Sequence, residues 1–280
     1  MNKTIGYIFC ERKLGKDEKV FMKIARKKGV KLVMFNLAKK IGEKEIKRKA
    51  KKCDIIFNNS GEEIALEFIK TLERFGKKVV DSSRVHYYVE DKWLFFLLCE
   101  KNRIPCPKTI LLSEDIRSAE EELNKFNRWP VVLKRVFGTM GEYVERARNI
   151  EEAKRIIEKF WEKGKERIPI IAQEFIKSYS YRVTIINKEI VQTVIKQSKG
   201  WKCTGVYGKK FKKFEITKTL KKILDKLLKV VDIKVCGVDL LKKGRKWLVL
   251  EVNTVPALDF FEEEREFLVE KIFDFLINEK

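Results

Sequence analysis

The stretch WLVLEVNTVPAL, Trp247 to Leu258, reads as a buried strand that carries a carboxylate and an amide where a core strand ordinarily has neither. Strict alternation puts Trp247, Val249, Glu251 and Asn253 on one face and Leu248, Leu250 and Val252 on the other. The apolar run before it, Val235 to Leu241, contains one acid, Asp239. If the two runs form a hairpin, a three-residue loop, Lys243 to Arg245, sets Asp239 opposite Val249 and diagonal to Glu251, and a five-residue loop sets it directly opposite Glu251. In either register Asp239, Glu251 and Asn253 share a face. An even-numbered loop would send Asp239 to the other one.

Two carboxylates on a half-buried face repel, and ionising each costs on the order of several kcal/mol unless a cation lies between them. A hard divalent ion held by carboxylate and amide oxygens, with water and phosphate completing its shell, is how Mg²⁺ sits in phosphoryl-transfer sites. Spacing alone leaves a second reading equally open, in which Asp239 and Glu251 pair with lysine or arginine across the sheet.

Bound phosphate needs cations and backbone donors elsewhere. PVVLKRVFGTMGEY, Pro130 to Tyr143, places Lys134 inside an apolar strand just before a turn, Gly138 to Gly141, whose N–H groups could cradle phosphate oxygens. The same glycines would also serve an ordinary hairpin. DKW, Asp91 to Trp93, sets Lys92 at the start of an apolar helix, where a plain surface lysine is the alternative. AQEFI, Ala172 to Ile176, ends a strand with polar residues that could offer backbone groups to a purine edge.

The first 90 residues alternate apolar runs with amphipathic stretches, which argues for a small open parallel α/β sheet. No GxGxxG follows the first run, so a dinucleotide fold lacks support. A helix, DKWLFFLLCEKN, closed by IPCP, marks a junction. The next region is α+β, with strands KTILL and PVVLKRV, a return strand EYVERA and a helix opened by an Asn149–Glu152 capping box. Beyond Pro169 come a hairpin turning at Asn187 and Lys188, a lysine-rich loop, a helix from Thr217 to Val231, the hairpin already described and a helix from Glu262 to Leu276. The fold class is α/β and α+β, with an N-terminal lobe over 1–91, a central unit over 92–168 and a C-terminal unit over 169–280.

A chain of 280 residues with 44% hydrophobic content can bury more than one core. The apolar runs are too short to span a bilayer, and the opening MNKTIGYIFCERK lacks a cleavable-signal pattern, so a soluble, cytoplasmic protein is expected. Six scattered cysteines without a CxxC pair, and a single histidine, His86, argue against zinc, iron–sulfur and Cys–His chemistry. With 63 Lys+Arg against 41 Asp+Glu, the net charge of +22 favours anionic partners, and high lysine with high glutamate suits a thermophilic source. The basic residues are spread out, with clusters at Lys44 to Lys52 and Lys209 to Lys213, as solvated faces are. The absence of a stacking platform or groove-reading motif argues against a nucleic-acid-binding protein.

In order, DKW, VVLKRVFGTMG, QEFI, YRVTII, GVDLL and WLVLEVNTVPAL resemble the ATP-grasp superfamily, particularly its RimK-like branch of amino-acid ligases. The resemblance is close over Asp91 to Leu258 and loose over the N-terminal lobe; its most specific part is the twelve-residue step from Asp239 to Glu251 followed by ExN. It implies a two-lobed ATP-grasp fold behind the N-terminal lobe. It further implies an ATP-dependent ligase, using one or two Mg²⁺ or Mn²⁺ ions, that joins an amino acid such as glutamate to an acidic small-molecule or peptide acceptor through an acyl phosphate.

By position, the resemblance implies that Lys92 and Lys134 contact ATP phosphates and that Gly138, Thr139 and Gly141 belong to a mobile phosphate loop. Gln173, Glu174, Phe175 and Ile176 would form the adenine hinge. Arg182 would meet the transferred phosphate, assisted by Lys202, and Asp239, Glu251 and Asn253 would hold the metal. Four positions depart from the pattern: Tyr143 and Ala257 stand where glycine is common, Ser180 where an acid is usual, and Thr204 where an amide is usual. None removes a metal ligand. The competing reading on the same fold is a kinase for a small-molecule hydroxyl; assembly into homo-oligomers is left open. The basic run Lys196 to Phe214 offers contacts for an acidic substrate, or is simply a mobile loop.

Overall fold

Short β-branched runs separated by amphipathic helices build the first sheet. In the computed structural model, which describes residues 3–40, 42–138, 141–162, 167–198, 200–202 and 210–279, these runs are β1 (Thr4–Phe9), β2 (Lys31–Asn36), β3 (Ile55–Asn58) and β4 (Val79–Val80). They pair in parallel in the order β2-β1-β3-β4. The helices α1 (Lys16–Lys27), α2 (Glu43–Ala50) and α3 (Glu63–Arg74) cross between them. Each buries an apolar stripe, as α3 does with Ala65, Phe68, Ile69 and Leu72.

Two further helices, α4 (Ser83–Glu90) and α5 (Lys92–Lys101), lead out of this lobe. Asp91 caps α5, its Oδ1 accepting from the backbone N–H groups of Trp93 and Leu94 at 2.9 Å each. Lys92 is thereby fixed at the first helical position.

The second sheet is antiparallel, β5-β8-β6-β7, from β5 (Thr109–Leu111), β6 (Val131–Arg135), β7 (Val144–Ala147) and β8 (Ile170–Glu174). The helices α6 (Ile116–Phe126) and α7 (Ile150–Glu162) cover one face through Ala119, Leu123, Leu133, Ala153 and Ile157. Asn149 accepts from Glu152 N at 2.9 Å to start α7, while the Glu152 carboxylate reaches Arg148 N rather than closing the reciprocal box.

The third sheet holds β9 (Ser180–Ile186), β10 (Glu189–Gln197), β11 (Lys210–Lys212), β12 (Val235–Lys243) and β13 (Lys246–Asn253) in the order β11-β10-β9-β12-β13, all antiparallel. Asn187 and Lys188 make the β9–β10 turn with φ of 46° and 69°, a two-residue turn whose twist suits a hairpin. One face of this sheet packs on α8 (Lys218–Val231), α4 and α5. The final helix, α9 (Arg265–Asn278), follows a single 3₁₀ turn, Glu262–Glu264, and lies on the first sheet, where Phe273 and Leu276 join Tyr7, Phe21 and Phe57. Ion pairs such as Lys23–Glu266 and Lys27–Glu270 flank the α1–α9 contact. They are solvent-screened, so apolar burial carries that contact.

Neither α4 nor β11 was expected from the sequence, and the first turn of the expected C-terminal helix is 3₁₀ rather than α. No helix among the described residues is long and apolar enough to cross a membrane.

Asp81 ties the first lobe to the third sheet, its buried carboxylate accepting from the N–H groups of Lys234 at 2.8 Å and Val235 at 3.0 Å. Burial pushes this carboxyl up from 3.8 to about 6, against the pull of those two N–H groups and His86. The folded chain therefore holds this proton more tightly than the unfolded chain. The group's contribution to stability is full below about pH 4 and is lost as pH rises through about 6. Denaturant melts across that window should show stability falling with pH in the parent and a flatter profile in Asp81→Asn. Asp81→Ala strands two buried donors and should cost on the order of 3 kcal/mol.

Candidate active site

The hairpin between β12 and β13 turns through Gly244 and Arg245, with Gly244 at φ 60°, and pairs Lys243 with Lys246 and Leu240 with Val249. This is an even-numbered loop, the case that should part Asp239 from Glu251. A bulge restores the match. Beyond Leu240 the register shifts, Leu250 is left unopposed, and Asp239 then faces Glu251 while Gly237 faces Asn253.

Strict alternation along β13 is thus broken. Trp247, Val249 and Val252 all enter the core beneath α8 with Val238 and Leu240, whereas Glu251 and Asn253 sit on the opposite face with Asp239. Counting by twos assigned Trp247 and Val249 to the face of Glu251, because counting cannot register one extra residue.

Asp239 is 3% exposed and its two oxygens have different neighbours. Oδ1 accepts from Lys196 Nζ at 2.7 Å and lies 2.9 Å from Arg182 Nε, while Oδ2 accepts from Asn253 Nδ2 at 3.3 Å. Burial alone would push this carboxyl up, but Arg182 and Lys196 outweigh it and hold it below the usual carboxylate range. The Glu251 carboxyl also contacts Asp239. The cross-sheet ion pair therefore describes Oδ1: protein cations, rather than a metal alone, relieve Asp239.

Lys196 was expected only as a substrate contact in a basic run. Its place in the site follows from β10, where Gln192, Val194 and Lys196 alternate onto the inner face and Lys196 pairs in register with Ser180. The periodicity was legible; the partner two strands along the sheet was not.

The donor set suits a hard cation. Asp239 Oδ2, the Glu251 carboxylate and the Asn253 amide oxygen are ligands of the kind Mg²⁺ takes, once the Asn253 amide turns its oxygen rather than its nitrogen toward them. Among the described residues no group of three or more acidic, His or Cys side chains offers an alternative.

Next to Glu251 is a narrow cavity with room for about one water, 10 Å³, walled by Phe95, Phe96, Cys106, Ile171 and the bulged Leu250. Lys92, Lys134, Gln173 and Glu251 add polar groups to it. Lys134, on β6, is buried and donates to Gln173 Oε1 at 2.9 Å, and Gln173 Nε2 donates to Thr109 Oγ1 at 3.0 Å. Burial pushes the Lys134 ammonium down to about 8; Lys92 adds to this and Glu251 opposes it. Lys92 Nζ donates to the Gly138 carbonyl at 2.7 Å.

The remaining expected residues are dispersed around this centre. Gly138 and Gly141 have φ of 131° and 77°, which side chains rarely adopt, and Thr139 lies outside the described residues, as does Thr204. The Glu174 carboxylate is engaged by Lys108 N at 3.1 Å and Lys243 at 2.8 Å. Phe175 lies under Arg146, 4.9 Å from its ring centre, and edge-on to Trp201; Ile176 is buried. Lys202 Nζ lies 3.4 Å from Glu145 on β7.

Tyr143, where glycine was expected, holds the left-handed φ of 48°. Its ring lies 3.5 Å from the Arg135 guanidinium and edge-on to Phe160, contacts that offset the backbone strain. Nothing in the structure explains Ala257.

Replacing Lys196 by Met should leave Asp239 short of one cation and cost on the order of 3 kcal/mol in a urea melt. Adding Asp239→Asn should recover part of that loss; a Lys196→Met variant as stable as the parent would remove the buried pair from consideration.

Known proteins resemble this chain in sequence and in fold. Residues 89–274 match the family model described as the RimK-like ATP-grasp domain. The chain is 29% identical over 205 residues to the coenzyme gamma-F420-2:alpha-L-glutamate ligase of Methanocaldococcus jannaschii, covering 70% of this chain and 69% of that one. It superimposes with a TM-score of 0.74 on the RimK domain ATP-grasp protein of Sphaerobacter thermophilus, at 15% identity over 98% of this chain and 100% of the other. It does so equally, at 0.74, on the D-alanine–D-alanine ligase of Bacillus anthracis complexed with ATP, at 17% identity over 98% and 96%. At these identities the structures speak to fold, and the parallel and antiparallel sheets correspond. The chain belongs to the RimK-like ATP-grasp family.

Proposed function

We propose that the protein is an ATP-dependent carboxylate–amine ligase that joins an amino acid such as glutamate to an acidic acceptor. One observation carries the reading. Glu251 belongs both to the Asp239–Asn253 face and to the cavity that contains Lys92 and Lys134, so a metal-binding face and a phosphate-binding pair of lysines share one wall. The alpha-L-glutamate ligase relative supports glutamate as the amino acid, and the +22 net charge supports carboxylate-rich substrates. The free thiols of Cys10, Cys53, Cys99, Cys106 and Cys236 suit a reducing compartment such as the cytoplasm.

In the proposed reaction a carboxylate oxygen of one substrate attacks the γ-phosphorus of ATP, and the bond from that phosphorus to the ADP oxygen breaks. The amine nitrogen of the second substrate then attacks the acyl carbon, phosphate leaves with its bonding pair, and the nitrogen loses a proton. The protein positions and neutralises. Phe95, Phe96, Ile171 and Leu250 supply an apolar wall for the purine, and Gln173 to Ile176 supply the strand end beside it. Lys92, Lys134 and the Gly138–Gly141 turn receive the phosphates; Arg182 offsets charge on the transferred group. Mg²⁺ held by Asp239, Glu251 and Asn253 would neutralise phosphate oxygens when bound. Lys202, 3.4 Å from Glu145, adds a further cation to offset that charge. The second and third sheets must part to admit a nucleotide to a cavity this narrow.

A screen of ATP with amino acids crossed against acidic acceptors should yield ADP, free phosphate and amide in equal amounts. ADP with a phosphorylated product and no free phosphate would instead make the enzyme a kinase. In the same assay Glu251→Gln should lower ADP formation at least about 100-fold with little change in melting temperature; full activity would remove Glu251 from the metal site.

Lys134 gives a pH signature. In the free protein it loses its proton above about 8, and bound phosphate favours the charged form. ATP binding at about pH 9 should therefore take up a proton, read by calorimetry as an enthalpy that changes with the ionisation heat of the buffer. Lys134→Met should abolish the buffer dependence. A parent protein whose binding enthalpy ignores the buffer would place Lys134 away from the phosphates.

A further inference from the structure

Gly237 is the third residue of β12, inside a strand, where glycine leaves nothing to pack. Its backbone is not in the left-handed region, so the conformation there does not demand glycine. Space does. A Cβ at Gly237 would fall 1.9 Å from Arg182 Nη1, 2.9 Å from Cζ and 3.0 Å from Cδ. The Arg182 side chain therefore lies flat along β12, occupying the volume that any other residue's side chain would fill.

This placement leaves Arg182 in an unusual state. It is 8% exposed, and its Nε lies 2.9 Å from Asp239 Oδ1, but the N–H is not aligned for a hydrogen bond. Neither Nε nor Nη1 has a hydrogen-bond partner among the described residues. Buried donors on a cation are costly to leave open, and Arg182 keeps two of them beside the metal-binding face. The strand register sets Gly237 between Thr184 on β9 and Asn253 on β13, so the open Nη1 donor lies above the residue that pairs with Asn253.

We propose that Gly237 is a positioning residue: by lacking a side chain it lets the Arg182 guanidinium lie along β12, with the Nη1 donor held open for the phosphate being transferred. This rests on the reading of Arg182 as the group that meets that phosphate. Any side chain at 237 lifts the guanidinium from the strand and moves the donor by an ångström or more. Misplacement on that scale can cost about 100-fold in rate.

The test uses the full chain and needs no acceptor substrate. Affinities for Mg²⁺–ADP and for the β,γ-imido analogue of Mg²⁺–ATP are measured by calorimetry in the parent, Gly237→Ala, Arg182→Lys and the double variant. The ratio of the two reads what the terminal phosphate adds. Gly237→Ala should lower that ratio about tenfold and leave ADP affinity within twofold, a split that a merely structural effect would not produce. In the Arg182→Lys background, where no Nη1 exists to collide, adding Gly237→Ala should change the ratio no further. If Gly237→Ala alone fails to fold, the double variant should recover a cooperative melt.

The outcomes separate two failures. A ratio unchanged in Arg182→Lys would overturn the role of Arg182 at the phosphate. A ratio lowered by Arg182→Lys but untouched by Gly237→Ala would leave that role standing and overturn the positioning. So would a Gly237→Ala effect of equal size in both backgrounds, or a double variant no better folded than the single one.

Discussion

The carboxylate of Asp239, buried and met by two cations, is the interaction on which the rest of the site depends. An uncompensated charge at 3% exposure would be protonated or would unfold the strand. Arg182 from the adjacent strand and Lys196 from the strand beyond it keep Asp239 ionised. Such an arrangement gives less stability than its geometry suggests, because desolvating three charges offsets most of their attraction. What it provides is a fixed anion with Oδ1 held by the protein cations and Oδ2 accepting from Asn253. Lys92 and Lys134 line the same cavity as Glu251.

That anion imposes a constraint on the third sheet. One face must be apolar to pack on α8, and the other must carry the polar groups. The two-residue turn at Gly244 and Arg245 would put Glu251 and Asn253 on the α8 face, where a carboxylate would be buried without a partner. The unopposed Leu250 reverses this after Val249 has entered the core. It also puts an apolar side chain into the cavity next to Glu251. One extra residue thus reconciles a tight turn, a packed core and a polar site.

Much of this was legible in the sequence, and for local reasons. The strand–helix alternation of the first lobe, the turn at Asn187 and Lys188, the α5 start at Lys92 and the lysine in β6 all follow from short-range periodicity and turn chemistry. The motifs between Asp91 and Leu258 pointed to the family. What escaped was non-local. The bulge depends on how β13 pairs with β12, and Lys196 acquires its role only because β9 lies between β10 and β12. Tyr143 could be seen to replace a glycine, but not to stack on Arg135. The helix α4, SRVHYYVE, is held by contacts of Val85 and Val89 with the core of the third sheet.

The central claim is that Asp239, Glu251 and Asn253 converge on a metal–nucleotide complex while Asp239 retains its protein cations. A crystal structure with Mg²⁺ and a non-hydrolysable ATP analogue tests it most directly. The expected density shows an octahedral ion about 2.0–2.1 Å from Glu251, the Asn253 amide oxygen and Asp239 Oδ2, with Lys196 still on Oδ1. A nucleotide bound elsewhere, or an ion that ignores Glu251 and Asn253 while Asp239 stays wholly engaged by Arg182 and Lys196, would contradict it.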